Sequence, residues 1–270
     1  MKKILVFFFA MGMLFCSCSG EQHDEPKAVE TQENEPAIIH EDWKGEYARL
    51  YKKRSNWLRP KSIFEKGKIN PFDEALTDTT FFVFREQLLE VIEQKDILKF
   101  LDFVAEDIQI AEDSLRGTAA LIDRWHLTTP DSIEQSNIWH TLNRILKRGG
   151  YFNAGKSTFT APYYANNKQL SANQGCIIGQ GVRIRNRPGL NAKLVKKVSF
   201  DIVEVLETTK KKEMIGEEVF PWVRLRLPSG EEGYVWGKFL GRREGEQVVF
   251  QQDQSNQWKM IVFKTSSAGF

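Results

Sequence analysis

The sequence predicts an α+β protein: a mostly helical first region, a small β-barrel and a C-terminal β-hairpin. Three observations predict it. Up to about residue 170, apolar residues recur at helical spacing in one segment after another. Over residues 175–240 the pattern changes to alternation, broken by corners rich in Gly and Pro. Beyond these, two β-rich runs flank a polar turn. At 270 residues the chain is long enough for one or two cores of ordinary size.

The chain opens on Met1, Lys2 and Lys3, and "ILVFFFAMGMLF" follows as an uncharged apolar run. A short positive segment before such a run reads as a secretory signal, too short for a comfortable membrane span. The run ends in "LFCSCSG". This resembles the lipobox of bacterial lipoproteins, where the thiol of the first mature residue takes a diacylglycerol. Cys16 and Cys18 compete for that role. Ser17, before Cys18, is small enough for a signal-peptidase pocket; Phe15, before Cys16, is not. Cys18 is therefore the expected lipidation site and residues 1–17 the signal peptide. An ordinary cleaved signal and an uncleaved anchor are the alternatives. With Cys16 removed and Cys18 lipidated, Cys176 is the thiol that remains, so the mature chain forms no intrachain disulfide. Lys2 and Lys3 are the only charges lost with the signal, which leaves 36 of the 38 Lys+Arg against 36 Asp+Glu. Net charge thus points to no partner.

Residues 18–39 read as a disordered tether. They are polar, acidic and nearly free of large apolar side chains, so they bury too little to fold. Glu21, Asp24 and Glu25, just after the lipobox cysteine, resemble the surface-export signal of some bacterial lipoproteins; a solvated linker is the other reading.

Residues 40–170 form the helical or α+β region. "EDWKGEYARLY" places Trp43, Tyr47, Leu50 and Tyr51 at helical spacing, and "FREQLLEVIEQKD" does so with Phe84, Leu88, Val91 and Ile92. "ILKFLDFVAED" reads as a short helix with Leu98, Leu101 and Val104 on one face, and "IQI" as a brief strand. "GTAALIDRWHL" and "SIEQSNIWHTLNRILKRGG" read as two further helices. The second carries Ile138, Leu142 and Ile145 on one face, and Gly149 and Gly150 stop it. "STFTAPYY" reads as a strand ended by Pro162. The stretch from "FREQLLEVIEQKD" to "GTAALIDRW" resembles the opening of the SnoaL-like α+β cone, although long strands do not follow it here. That resemblance implies a conical pocket that binds or catalyses, and carries no residue role. His126 and His140 follow Trp125 and Trp139 and suggest a metal with Asp123 or Glu134, but no HxH or HExxH spacing exists and helix-edge side chains explain them. Asp102, Glu106 and Asp107 read as solvated carboxylates.

Within 175–241, period two sends Val182 and Ile184 inward and Arg183 and Arg185 outward. Val223, Leu225 and Leu227 alternate with Trp222, Arg224 and Arg226, "PSG" turns the chain, and Val203 and Val205 supply another inward pair. These sets are enough to line a small barrel. The order "VRIRNRP", "SFDIVEVLE", "WVRLRLPSGEEGYV" and "KFL" resembles the bacterial SH3-type domain, with a longer connection, "TTKKKEMIGEEVF", before Trp222. Residues 175–240 hold 12 Lys+Arg against 8 Asp+Glu, a local excess of positive charge. An aromatic groove with basic neighbours suits a peptide with carboxylates. The candidate ligand-binding residues are Arg183, Arg185, Trp222, Arg224, Tyr234 and Trp236, with Phe239 nearby. Solubilising arginines and core aromatics are the alternative. The SH3-type resemblance implies cell-wall peptide as the partner. Its relatives often accompany cysteine peptidases, but no His follows His140, so Cys176 reads as a small apolar residue rather than a nucleophile.

Residues 246–265 read as a β-hairpin, with runs at 248–251 and 258–264 about the turn "DQSN". A lone hairpin is marginal in water, so it returns to the first region, making the barrel an insertion, or extends the barrel sheet. Together these readings lead to an expectation. The chain is a lipoprotein lipid-anchored to a bacterial membrane of the cell envelope, the outer membrane first. It binds cell-wall peptide or an envelope protein without catalysis. No cofactor, metal or nucleic acid is called for. The alternative is a SnoaL-like ligand or enzymatic pocket in the first region.

Overall fold

The computed structural model describes residues 42–54, 57–110, 115–216 and 218–265. The signal peptide, Cys18, the tether and its Glu21, Asp24 and Glu25 lie outside the described residues. α1 (Trp43–Lys53) opens the fold; the Asp42 carboxylate accepts from the Gly45 amide at 2.8 Å and caps it. β1 (Phe64–Glu65) and β2 (Lys68–Ile69) pair briefly. α2 (Thr79–Gln94) is the central helix. Asp78 caps it through the Phe81 amide at 3.0 Å, and Lys95 ends it in the left-handed conformation at φ 54°. It buries Phe81, Phe82, Leu88, Leu89 and Ile92, more of its circumference than a surface helix would.

α3 (Ile97–Asp102) starts at Asp96, whose carboxylate accepts from the Lys99 amide at 3.1 Å. It buries Phe100, while Leu98 is 76% exposed and Val104 already belongs to β3 (Val104–Gln109). The expected Leu98–Leu101–Val104 face is therefore corrected: the helix ends at Asp102, two residues before Val104. α4 (Thr118–Arg124) follows. The single helix expected over "SIEQSNIWHTLNRILKRGG" is two, α5 (Pro130–Gln135) and α6 (Ile138–Leu146). Ser136 breaks it. Its hydroxyl donates to the Trp125 carbonyl at 2.9 Å, and its backbone turns extended, at ψ 132°. Gly149 ends this stretch at φ 72°, where a Cβ would lie 2.4 Å from the Phe72 carbonyl oxygen, so glycine is required.

β4 (Tyr151–Phe152) and β5 (Thr158–Ala161) come next. The alternating segment then supplies β6 (Gln174–Ile177), β7 (Val182–Arg185), β8 (Leu194–Val198), β9 (Ile202–Ile215), β10 (Glu218–Arg226), β11 (Glu232–Trp236) and β12 (Leu240–Arg242). These seven form one sheet in the order β12-β6-β9-β10-β11-β7-β8, curled as a half-barrel. Val182, Ile184, Val203, Val223, Leu225, Leu227 and Val235 fill its inner side, joined by the partly buried Val205. Gly233 permits the closest approach there, since a Cβ would sit 2.5 Å from the Ile184 side chain.

β13 (Gln247–Gln252) and β14 (Trp258–Lys264) pair antiparallel. β13 also pairs with β5, and β14 runs parallel to β3. The result is a five-stranded sheet, β3-β14-β13-β5-β4, with α2 packed on it. Strand makes up 35% of the protein against 28% helix, most of it beyond residue 174, while the elements up to residue 161 are mainly helices. The sheet that these helices pack on draws β3, β4 and β5 from the first region and β13 and β14 from beyond residue 246. Phe81 lies at the centre of this core, with ring contacts to Phe84, Phe152, Phe159, Phe250 and Trp258. A third cluster, Ile69, Phe72, Tyr163, Tyr164, Leu170 and Cys176, joins the two sheets. Residues from Asp42 onward form one compact unit.

Candidate functional site

Direct cross-strand partners share a face of a sheet, so register decides which candidates meet. Tyr234 stands opposite Arg224 on one side and Arg185 on the other. The row Arg185–Tyr234–Arg224 therefore crosses three strands on the outward face. Arg224 donates to Glu232 at 2.6 Å, and Arg226 donates to Glu204 at 2.7 Å and to Glu232 at 2.8 Å. Hydrogen bonds from Arg226 and then Arg224 hold the Glu232 carboxyl below its ordinary range. Arg185 donates to the Ala192 carbonyl at 2.6 Å. Arg183 is exposed opposite Lys197, a like-charge pair.

The open aromatic groove expected around Trp222 and Trp236 is not there. Both are on this face, directly opposite each other, but only 2% and 4% exposed. They pack with Phe220 under Ile215 and Tyr234. The Trp222 indole donates to the Glu213 carboxylate at 2.6 Å, and that of Trp236 to the Glu213 carbonyl at 3.0 Å. Period two puts a tryptophan on the outer face; it does not reveal that the far end of β9 and the start of β10 bring their own cover. Tyr234 remains partly accessible and Phe239 is 37% exposed.

A second feature lies where the two sheets join. A cleft of about 330 Å³ opens between α6, β10 and the chain leaving β12. Arg144 grips Glu246 with both terminal nitrogens, one at 2.7 Å. His140, at 3.0 Å, and Lys238 both bond Glu218 and tie α6 to β10. Burial opposes the charge on Arg144, but the bonds to Glu246 outweigh it and its pKa rises. Arg148 donates to the Tyr164 hydroxyl at 2.6 Å and the Lys238 carbonyl at 3.1 Å. Arg242 reaches the Thr208 hydroxyl at 3.3 Å. These arginines come from distant segments, and the one local signal for them was the basic doublets "KRGG" and "GRREGE".

Cys176 is fully buried in the joining cluster. Burial pushes its thiol up to about 12, and the neighbouring Tyr164 hydroxyl up to about 12 as well. A thiol so placed is a poor nucleophile at neutral pH. Both pKa values are raised, so the stability they contribute is whole below pH 9 and is lost as pH climbs toward 12, where the unfolded chain ionises first. Denaturant unfolding between pH 8 and 11 should show this fall, and Cys176→Ala should flatten it. Parallel curves for the two proteins would rule out Cys176 as a cause.

His126 takes a left-handed φ of 55° at the end of α4, and His140 belongs to the Glu218 junction. Among the described residues no group of three or more His, Cys, Asp or Glu side chains gathers as a metal site would need. Between α2 and the five-stranded sheet, Phe81, Phe159, Phe250 and Met260 fill the space. Among the described residues no helix is long and apolar enough to cross a membrane. No family model matches the chain, and neither the curated proteins nor the solved structures contain a match.

Proposed function

We propose that this protein is a lipid-anchored lipoprotein of the bacterial cell envelope that binds cell-wall peptide, without catalysis, through the outer face of an SH3-type sheet. The observation that carries the reading is the row Arg185–Tyr234–Arg224, two guanidinium groups either side of a phenol. A guanidinium offers five N–H donors, and the protein contacts recorded for Arg185 and Arg224 use one nitrogen on each. Donors remain for the carboxylates of a peptide, and Tyr234 offers a ring against its backbone. Arg183 and Lys197 extend the positive surface. The curled sheet, with its valine and leucine interior, supports the SH3-type resemblance. The anchor rests on "LFCSCSG" and Cys18.

Cosedimentation with purified peptidoglycan tests the binding. The wild-type chain should pellet with the wall. The pair Arg185→Gln and Arg224→Gln should weaken that about tenfold, as the loss of charge-assisted bonds to a carboxylate does. Trp222→Ala is unsuitable, because that buried ring supports the fold. An unchanged pellet would remove the outer row from the site. Separately, Cys18→Ala should move the chain out of the membrane fraction; continued membrane association would remove the lipid anchor.

A further inference from the structure

We infer that the cleft at the junction of the two sheets binds a small ligand with a free carboxylate on an apolar body, of the size of a short peptide end. The argument is independent of the outer face. Arg144 and Lys238 on the cleft wall are already answered by Glu246 and Glu218. Arg148 and Arg242, which also line it, are not: among the described residues, neither has a carboxylate partner, and their recorded bonds go to neutral oxygens of Tyr164, Lys238 and Thr208. Two guanidinium groups holding only neutral acceptors at the edge of one cavity leave an unmatched positive field. A low-dielectric wall strengthens such a field for a visiting anion.

Partial burial of Arg242 at the cleft rim disfavours its charge and lowers its pKa. A bound carboxylate would relieve that. Phe220, Pro221, Val223 and Leu240 add apolar surface to the lining. Inorganic phosphate has nothing to place there, whereas a peptide end has a carboxylate for the arginines and an aliphatic side chain for the wall. A volume of about 330 Å³ lies at the small end of ligand pockets.

The test is calorimetric titration of the purified full chain with acetyl-alanyl-alanine, its C-terminal amide and inorganic phosphate. The acid should bind, and the amide and phosphate should bind at least about tenfold more weakly. Arg148→Gln and Arg242→Gln should each weaken the acid about tenfold. Arg242 lies on the exposed rim and keeps the fold if Arg148→Gln does not. The titration reads the cleft through Arg148 and Arg242, and peptidoglycan pelleting reads the outer face through Arg185 and Arg224, so failure of one is distinct from failure of the other. Absence of acid binding, equal binding of acid and amide, phosphate binding as tight as the acid, or binding that survives Arg242→Gln would each overturn the inference.

Discussion

Truncation before Gln247 should abolish cooperative folding rather than release an intact first region. β13 lies between β5 and β14, and β14 joins β13 to β3. Removing both strands leaves β3 without its neighbour in the sheet. It also strips Val248, Phe250, Trp258, Met260 and Phe263 from the core, each of them at most 5% exposed. Each fully buried side chain of this size holds about 1.5–3 kcal/mol of burial, and a domain has about 5–15 kcal/mol in total. The loss therefore exceeds the reserve. Phe81 would face an empty space where Phe250 and Trp258 now stand. Circular dichroism and thermal melting of residues 1–246 would check this. A single sharp transition near that of the full chain would show that the first region stands alone.

The second large effect concerns charge in the interior. Arg85 is 1% exposed and bonds Asp73 at 2.6 Å and Glu86 at 2.8 Å. Burial lowers its pKa, but the two carboxylates outweigh burial and the pKa is raised. Asp73 also accepts from the Ala75 amide at 3.2 Å, which links the group to the turn before α2. Arg85→Met would remove the guanidinium from both carboxylates. The expected loss is about 3–5 kcal/mol at pH 7, the usual result of breaking a buried ion pair from one side. Urea unfolding measures it. A loss below about 1 kcal/mol would mean that water or other partners already screen this group.

The sequence carried no sign of that triad. Arg85 reads as the polar side of an amphipathic helix, and only the packing of Asp73 over α2 makes it interior. The same distinction runs through the candidate site. Alternation placed Arg183, Arg185 and Arg224 outward and Val182, Ile184 and Leu225 inward, because strand geometry ties direction to parity. It also put Trp222 outward, and by direction that is right, as it is for its cross-strand partner Trp236. Their burial depends on Phe220, Ile215 and Glu213, which no period encodes.

By itself, the sequence determined the local matters: that Gly149 and Gly150 stop a helix, and which way the residues of the alternating strands point. These depend on contacts within a few residues. Tertiary structure alone decided that β13 completes the sheet of β3 and β5. It alone decided that Ser136 bonds Trp125 and splits a helix, and that Arg148 and Arg242 meet across one cleft. Each joins segments far apart in the chain, and the free energy of such a contact depends on how the whole core packs rather than on any short window of residues.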